Sequence, residues 1–411
     1  MRRAVLTLGT MPCRFFLHRK PAVVSSLHPP HPPQNIAPST PPLHTHRSSP
    51  SARVSWAVLT LLILVAGLAP WSGWHDTGLS PWAYLTAPVP RYVTRFDVAI
   101  NVLAFVPFGA VGVLALHPRW RGPLAVLLAS GAGIALSALI EGLQTYLPTR
   151  VSSNIDLLTN SVGTVLGALL TAPFSATLIN HGRLARWRHQ WFADDATVPL
   201  LIVALWPLAQ VAPTPMLFGN GEIHELLAAL ADFFNVSWPL FSQERFGPAE
   251  YVLAEALVVS SGLFFAGLAA ASLMHEPAPR WWLLASMLGA ALLTRTMAWG
   301  AQFGPEQATV WVTPGALGGL LVGALALAVA ATGSARVLGA LAVISGLVLV
   351  VSVNLIPVNP FFSDWLGAWR PGRLRHLHAL AQWVSTAWPY VLLLALVTRA
   401  VMSKLRRKLQ H

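Results

Sequence analysis

Long apolar runs dominate this chain of 411 residues, and they constrain its fold more than any other feature. Hydrophobic residues make up 55% of the sequence and charged residues only 10%, with a mean hydropathy of +0.58. A soluble domain of this composition would expose large apolar patches. Windows of about 20 residues, the helical length that crosses a bilayer core, recur along the chain. The sequence therefore predicts a polytopic membrane protein.

About ten windows qualify as candidate membrane-spanning helices. Barrel strands are excluded because the runs are long and lack the ten-residue alternating pattern of strands that face lipid. The predicted fold class is all-α. The candidate spans lie near Val54–Trp71, Val98–Leu116, Leu124–Leu147, Leu157–Ile179, Val198–Phe218, Tyr251–Met274, Trp281–Gly300, Trp311–Ala331, Val337–Ile356 and Val384–Met402.

The distribution of basic residues predicts the orientation of these helices. Basic side chains concentrate in alternate connections, whereas the intervening loops hold fewer of them and contain acids such as Glu222 and Asp232. This asymmetry is typical of the positive-inside rule and predicts that both termini are cytoplasmic. The net charge of +12 is therefore explained by membrane topology, and it does not indicate nucleic-acid binding. The basic residues of the predicted cytoplasmic side are Arg119, Arg121, Arg183, Arg186, Arg188, Arg280, Arg336, Lys404, Arg406, Arg407 and Lys408.

Composition divides the chain into four parts. Residues 1–50 are rich in Pro, His and Ser and cannot bury a core, so we expect them to be disordered. The basic segment 181–197 is predicted to be a cytoplasmic linker. It separates a four-helix membrane domain at 51–180 from a second membrane domain of about six helices, with a short basic tail, at 198–411.

Cys13 is the only cysteine, which excludes an intramolecular disulfide and a thiolate metal cluster. Motifs for nucleotide binding, for zinc proteases and for serine hydrolases are absent from the sequence. We therefore expect neither a metal nor a cofactor. The expected partners are membrane lipids and an amphiphilic or lipid-linked ligand.

A dense polar interval, "IEGLQTYLPTRVSSNIDLLTNSVGTVLG", interrupts the apolar sequence between Ile140 and Gly167. With the amino terminus inside, the second span begins at the outer face, the third ends there and the fourth begins there. Their polar residues therefore lie at one membrane depth. The predicted polar cluster consists of Asp97, Asn101, Glu141, Gln144, Arg150, Asp156 and Asn160.

Spacing places the members of this cluster on common helix faces. Asp97 and Asn101 are four residues apart, as are Asp156 and Asn160, so each pair shares one face. The face of the fourth span continues through Gly163 and Gly167, a small-residue stripe that lets helix backbones approach closely. These polar side chains should therefore point into the bundle.

The cluster has two interpretations, a binding or catalytic site and a polar clamp that fixes helix packing. Capping and the helix dipole explain acids at the amino termini of the second and fourth spans. Glu141 lies about one turn inside the end of its helix, where a carboxylate costs about 1–3 kcal/mol unless it is paired or neutralised. Arg150, Asn101 or a proton are its candidate partners.

The order and spacing of these residues resemble the VanZ-like family. Members carry an Asp and an Asn before Phe-x-Pro-x-Gly, then Glu-x-x-Gln, an Arg, and Asp-x-x-x-Asn-x-x-Gly-x-x-x-Gly. The resemblance covers residues 90–172, with Thr149 where a Gly is common before the Arg. The matching positions are Asp97, Asn101, Phe105, Pro107, Gly109, Glu141, Gln144, Arg150, Asp156, Asn160, Gly163 and Gly167.

The resemblance implies a bacterial inner-membrane protein with a role in envelope or glycopeptide (teicoplanin) tolerance, and it brings no settled reaction. We expect a protein that binds a lipid or amphiphile at the outer leaflet, where Arg150 meets an anionic headgroup. One alternative is an enzyme acting on a lipid-linked substrate, with Glu141 and Asp156 as catalytic residues. Another is a transporter built from two related halves, because "TNSVGTVLGALL" after Leu158 resembles "TPGALGGLLVGAL" after Val312.

The second membrane domain contains two charged residues inside predicted spans, Glu255 and Arg295. By the predicted topology they lie at similar depth near the outer face. We expect them to form a structural ion pair, because either charge alone would be costly in a low dielectric.

Overall fold

A computed structural model describes residues 50–69, 71, 73–88, 93–178, 183–224, 227, 246–357 and 375–409. Within these ranges the chain is almost entirely helical and contains no β-strand. The all-α prediction is confirmed. The predicted disordered segment at 1–50 lies almost wholly outside the described residues.

Four helices form the first group: α1 (Pro50–Leu68), α2 (Arg95–Leu116), α3 (Gly122–Gln144) and α4 (Asn154–Thr171). The linker contains α5 (Arg183–Trp191). The second group consists of α6 (Thr197–Ala204), α7 (Trp206–Ala209), α8 (Pro248–Ser272), α9 (Arg280–Phe303), α10 (Pro314–Ala330), α11 (Ala335–Leu355) and α12 (Arg375–Leu409).

Local sequence explains where several of these helices begin. The hydroxyls of Thr94, Ser153 and Thr313 each accept a backbone N–H from the first turn of α2, α4 and α10. Proline occupies the first turn of α3, α8 and α10, where its missing N–H would have no helical partner. The residue types at these helix starts therefore agree with where the helices begin.

Eight described helices are long and apolar enough to cross a membrane. This supports a polytopic membrane protein, although two predicted spans differ from the structure. Val198–Phe218 is not one helix. It consists of most of α6, then α7, which ends at Ala209, and then irregular chain. Trp311–Ala331 contains the shorter helix α10 of 17 residues. The eight are Pro50–Leu68, Asp97–Leu116, Gly122–Gln144, Asn154–Phe174, Pro248–Ser272, Arg280–Phe303, Ala335–Leu355 and Leu380–Lys408.

Buried apolar side chains form separate clusters on the two sides of the linker. Phe105, Phe108 and Leu136 belong to a cluster within α1–α4, whereas Trp206 and Phe265 belong to a larger cluster formed by the second group. Leu62 of α1 packs against the larger cluster and so connects the two groups of helices.

Candidate functional site

The polar residues of α2, α3 and α4 meet because of how these helices are connected. The link from α3 to α4 covers only residues 145–153, so the end of α3 lies beside the start of α4. α4 also packs against α2 along its small-residue face. A Cβ atom added at Gly163 or Gly167 would overlap the backbone carbonyl of Val102 or Val106. Backbone contact between α2 and α4 therefore brings their polar side chains together.

Two amide side chains connect these helices. The Nδ2 atom of Asn101 donates to Oδ1 of Asp156 at 2.9 Å, which joins α2 to α4. Nδ2 of Asn160 donates to Oγ of Ser137 at 2.9 Å, which joins α4 to α3. The Oδ1 atom of Asn160 is buried and has no hydrogen-bond partner among the described residues. One acceptor of the interhelical network is thus left without a donor.

Glu141 is the most enclosed acid of the cluster, with 2% of its surface exposed. Its Oε2 atom accepts the backbone N–H of Ser153 at 2.7 Å, and its backbone carbonyl accepts the Ser152 hydroxyl at 2.7 Å. Glu141 forms no ion pair among the described residues. A buried carboxylate in a membrane-spanning helix thus has one backbone N–H and no basic side chain as its direct partner.

These contacts make a continuous polar path. Glu141 and Ser137 are one turn apart on α3, and Ser137 accepts from Asn160 of α4. Asn160 lies one turn beyond Asp156, whose backbone N–H is capped by Ser153 at 3.3 Å. The path closes where Ser153 donates to Glu141. Carboxylates, hydroxyls and amides therefore surround the junction of α3 and α4.

Asp97 has a different role from the other acids. Its Oδ2 atom accepts both the backbone N–H of Thr94 at 3.0 Å and the Thr94 hydroxyl at 2.7 Å. Its own N–H donates back to Oγ1 of Thr94, which completes a capping box. This geometry matches the structural explanation for an acid in the first turn of α2.

Gln144 and Arg150 hold the end of α1. The Nε2 atom of Gln144 donates to the carbonyl of Gly67 at 2.8 Å. Arg150 donates from Nε to Ala69 O at 2.7 Å and from Nη2 to Ala66 O at 3.2 Å. A cation at the carboxyl end of a helix satisfies unpaired carbonyls and complements the dipole. Two members of the predicted cluster thus position α1.

Tyr84 is a neighbour of the site that the sequence did not single out. Its side chain is buried, and its hydroxyl donates to the carbonyl of Ala138 on α3 at 3.4 Å. Burial raises the pKa of Tyr84, and the nearby Glu141 raises it further. Tyr84 lies in the short 3₁₀ segment Ala83–Leu85 and belongs to no motif, so only the fold identifies it.

In the second group, Glu255 and Arg295 do not form the predicted ion pair. Arg295 is 1% exposed, and its guanidinium donates to the carbonyls of Ala212 at 2.8 Å and Thr214 at 2.5 Å. Glu255 accepts the hydroxyl of Thr313 at 2.6 Å. Arg295 binds backbone instead of Glu255 because the irregular chain after α7 offers unpaired carbonyls, which the sequence did not predict.

A buried amide network supports the same irregular chain. Gln210 donates to Oδ1 of Asn220 at 2.8 Å, and Asn220 donates to the Ser385 hydroxyl at 2.8 Å. Asn354 donates to the carbonyl of Gly221 at 2.9 Å. Backbone that is not helical can lie among membrane helices only where such partners are present.

The two groups of helices share one pattern of contacts. α4 packs on α2 through Gly163 and Gly167, and α10 packs on α8 through Gly319 and Gly323. Gln144 donates to the chain end of α1, and Gln302 of α9 donates to Val211 O after α7 at 2.9 Å. An arginine clamps the same chain end in each group.

The described residues contain no group of three His, Cys, Asp or Glu side chains that could hold a metal ion. The acceptors at the junction of α3 and α4, the Glu141 carboxylate and the Oδ1 atom of Asn160, are buried.

Comparison with protein families identifies the first group of helices. A family model described as VanZ/LLP1 matches residues 40–176, which is 137 of the 411 residues. This part of the chain is a VanZ-like domain, as its motifs indicated. Searches among curated proteins and among solved structures gave no match.

Proposed function

We propose that the VanZ-like domain of this membrane protein binds the polar headgroup of a lipid or amphiphile at the junction of α3 and α4. The observation that carries the proposal is Glu141, a carboxylate that is 2% exposed within a membrane-spanning helix and has one backbone N–H as its direct partner. Ionisable groups at such positions are costly and usually serve a function.

The site is suited to a headgroup rich in hydrogen-bond donors. Glu141 and the unpartnered Oδ1 of Asn160 are acceptors, and Asp156 adds a third that is shared with Asn101. Hydroxyl or ammonium groups would supply the missing donors. Because Arg150 and Gln144 are engaged with α1, we assign them to positioning the site rather than to contact with an anionic headgroup.

Resemblance to the VanZ-like family extends this proposal to the cell. We propose that the protein lies in the bacterial inner membrane, with the α3–α4 junction in the outer leaflet, and that headgroup binding there contributes to envelope or teicoplanin tolerance.

The test compares two membrane-embedded acids of the same chain. Glu141→Gln keeps the side-chain volume and the acceptor for Ser153, and Glu255→Gln is the matched control because Glu255 also accepts one short hydrogen bond. Each variant is expressed in a teicoplanin-susceptible bacterium, and lipids retained by the purified protein in mild detergent are quantified by mass spectrometry.

We expect Glu141→Gln to lose both tolerance and the retained lipid while its thermal unfolding in detergent stays close to wild type. Glu255→Gln should keep both the teicoplanin tolerance and the retained lipid. Wild-type tolerance in the Glu141→Gln strain, or equal losses in the two variants, would contradict the proposal.

A transporter built from two related halves is a second candidate, and the shared contact pattern favours it. In the first group α3 donates from Gln144 to the end of α1, and α4 packs on α2 through glycines. In the second group α9 donates from Gln302 to the chain after α7, and α10 packs on α8 through glycines. Repeated membrane units of this kind are common in transporters.

Alternating access tests this second candidate. Leu62 of α1 lies at the contact between the two groups. In a Cys13→Ser background, Leu62→Cys should react with an impermeant thiol reagent from both sides of membrane vesicles if the halves rock against each other. Reaction from one side or from neither would exclude the transporter.

A further inference from the structure

A cavity of about 370 Å³ lies at one end of the second group of helices, where α8 leads into α9 and α10 ends. Its volume is within the range of small-ligand sites, about 300–1,000 Å³. The residues that give it chemical character are Glu276, Arg280, Trp281, Trp282 and Thr332. It is remote in sequence from the VanZ-like domain and from Glu141.

The polar groups of this cavity have unused hydrogen-bonding capacity. Arg280 gives one Nη donor to the carbonyl of Ala331, and its other guanidinium donors have no acceptor among the described residues. Glu276 forms no ion pair there either. The indole N–H groups of Trp281 and Trp282 likewise have no protein acceptor in the described part of the chain. A base, an acid and two indoles thus line one space without being paired to each other.

The surroundings of the cavity are those of a membrane interface. Trp281 is 53% exposed and Trp282 is 81% exposed at the first turn of α9. Exposed tryptophans at the ends of membrane helices lie at headgroup level. Val329 and Leu325 of α10 are 78% and 60% exposed and are four residues apart, so they form an apolar wall that leads away from Thr332.

The chain around the cavity is held in place. The backbone N–H of His275 donates to Trp191 O at 2.8 Å, and Phe192 pairs with Met274 in an isolated bridge. Asp195 and Arg399 form an ion pair at 2.9 Å close to the contact between Phe192 and Met274. A cavity whose walls are already ordered loses less entropy when it binds a ligand.

The charges select the kind of headgroup. A phosphodiester accepts hydrogen bonds from the guanidinium of Arg280 and from indole N–H groups. An ammonium group matches the carboxylate of Glu276 and the face of an indole ring. A headgroup with a phosphate alone would leave Glu276 facing an anion. A zwitterion satisfies both charges at once.

We propose that this cavity binds the phosphoethanolamine headgroup of a membrane phospholipid. The phosphate lies against Arg280, the ammonium lies against Glu276 and Trp282, and one acyl chain follows Val329 and Leu325. The site is independent of the function proposed for the VanZ-like domain.

Native mass spectrometry of the full-length protein tests this assignment with dioleoyl phosphatidylethanolamine, phosphatidylglycerol and phosphatidylcholine. We expect the ethanolamine lipid to bind about fivefold more tightly than the other two, the effect of one exposed charge contact. Phosphatidylglycerol lacks the ammonium, and phosphatidylcholine cannot donate a hydrogen bond to Glu276.

Two variants with matched controls locate the effect. Glu276→Gln should weaken the ethanolamine lipid about fivefold and leave phosphatidylglycerol unchanged or tighter. Its control is Glu306→Gln, an exposed acid at the opposite end of α9. Trp282→Leu should also weaken the ethanolamine lipid, whereas the exposed Trp82→Leu should not.

Phosphatidylglycerol binding as tightly as the ethanolamine lipid would overturn the proposal, because it would mean that generic attraction to basic residues controls the site. Glu276→Gln without effect, or an equal effect in Glu306→Gln, would overturn it as well. Selective loss in Glu276→Gln and Trp282→Leu supports it.

Discussion

Arg150 in the first group of helices and Arg295 in the second both donate to carbonyls at a chain end, but they clamp different kinds of backbone. Arg150 holds the end of α1, a regular helix of 19 residues, and is half-buried. Arg295 holds the irregular chain after α7, a helix of four residues, and is 1% exposed. In the first group the arginine supplements the hydrogen bonds of a regular helix. In the second it provides donors for carbonyls that no helix satisfies.

The membrane-embedded acids Glu255 and Glu141 also differ in the donors that they receive. Glu255 has a short hydrogen bond from Thr313, so its group of helices supplies its own donor. Glu141 takes one backbone N–H, and the neighbouring Asn160 leaves its Oδ1 atom without a donor. Both groups therefore use a glutamine and an arginine to hold backbone, and both contain buried acceptors without a donor among the described residues, but only the second provides its acid with a hydroxyl donor.

The largest expected effect is that of Arg295→Met. The substitution leaves the carbonyls of Ala212 and Thr214 buried without donors, at about 1–3 kcal/mol each. Thermal unfolding in detergent should drop clearly, and less in Arg150→Met, where water reaches the half-buried chain end. Equal decreases in the unfolding temperature would show that the two arginines contribute equally to stability.

A bulky residue at Gly167 should cost somewhat less. Gly167→Leu forces the backbones of α2 and α4 apart, at about 1–3 kcal/mol for overpacking. Gly131→Leu on α3 is the matched control, since no atom lies within 4 Å of the added Cβ. Thermal unfolding of both variants checks this. A control as unstable as Gly167→Leu would argue against close α2–α4 packing.

Asp97→Ala should lower stability by about 1 kcal/mol, because it removes the capping box at Thr94. Teicoplanin tolerance should persist, since Asp97 is engaged in the cap. Parallel measurements of unfolding and tolerance decide this. Loss of tolerance without loss of stability would return Asp97 to the binding site.

The smallest effect should come from the two glutamines. Gln144→Leu and Gln302→Leu each remove one hydrogen bond to a chain end, about 0.6 kcal/mol inside a membrane protein. Similar shifts in thermal unfolding would support a common design of the two groups. A loss confined to Gln302→Leu would set the irregular chain apart.

Some features of the site were predictable because they depend on local spacing. The pairing of faces through Asn101, Asp156 and Asn160 follows from helical periodicity, and Asn101 does contact Asp156. The caps at Thr94 and Ser153 follow from residue type. Tyr84 was not predictable, because its contact with α3 depends on how the connection between α1 and α2 folds back onto α3.

The membrane class, the VanZ-like motif and the meeting of α2, α3 and α4 could be read from the sequence, because hydropathy and i, i+4 spacing are local properties. The partners of the charged groups, in contrast, depend on the fold. It placed Arg150 on α1 and separated Arg295 from Glu255, and it left Glu141 with a backbone N–H. A buried charge takes whichever unpaired group the fold brings within hydrogen-bonding distance, and the break after α7 created carbonyls that no sequence pattern announced.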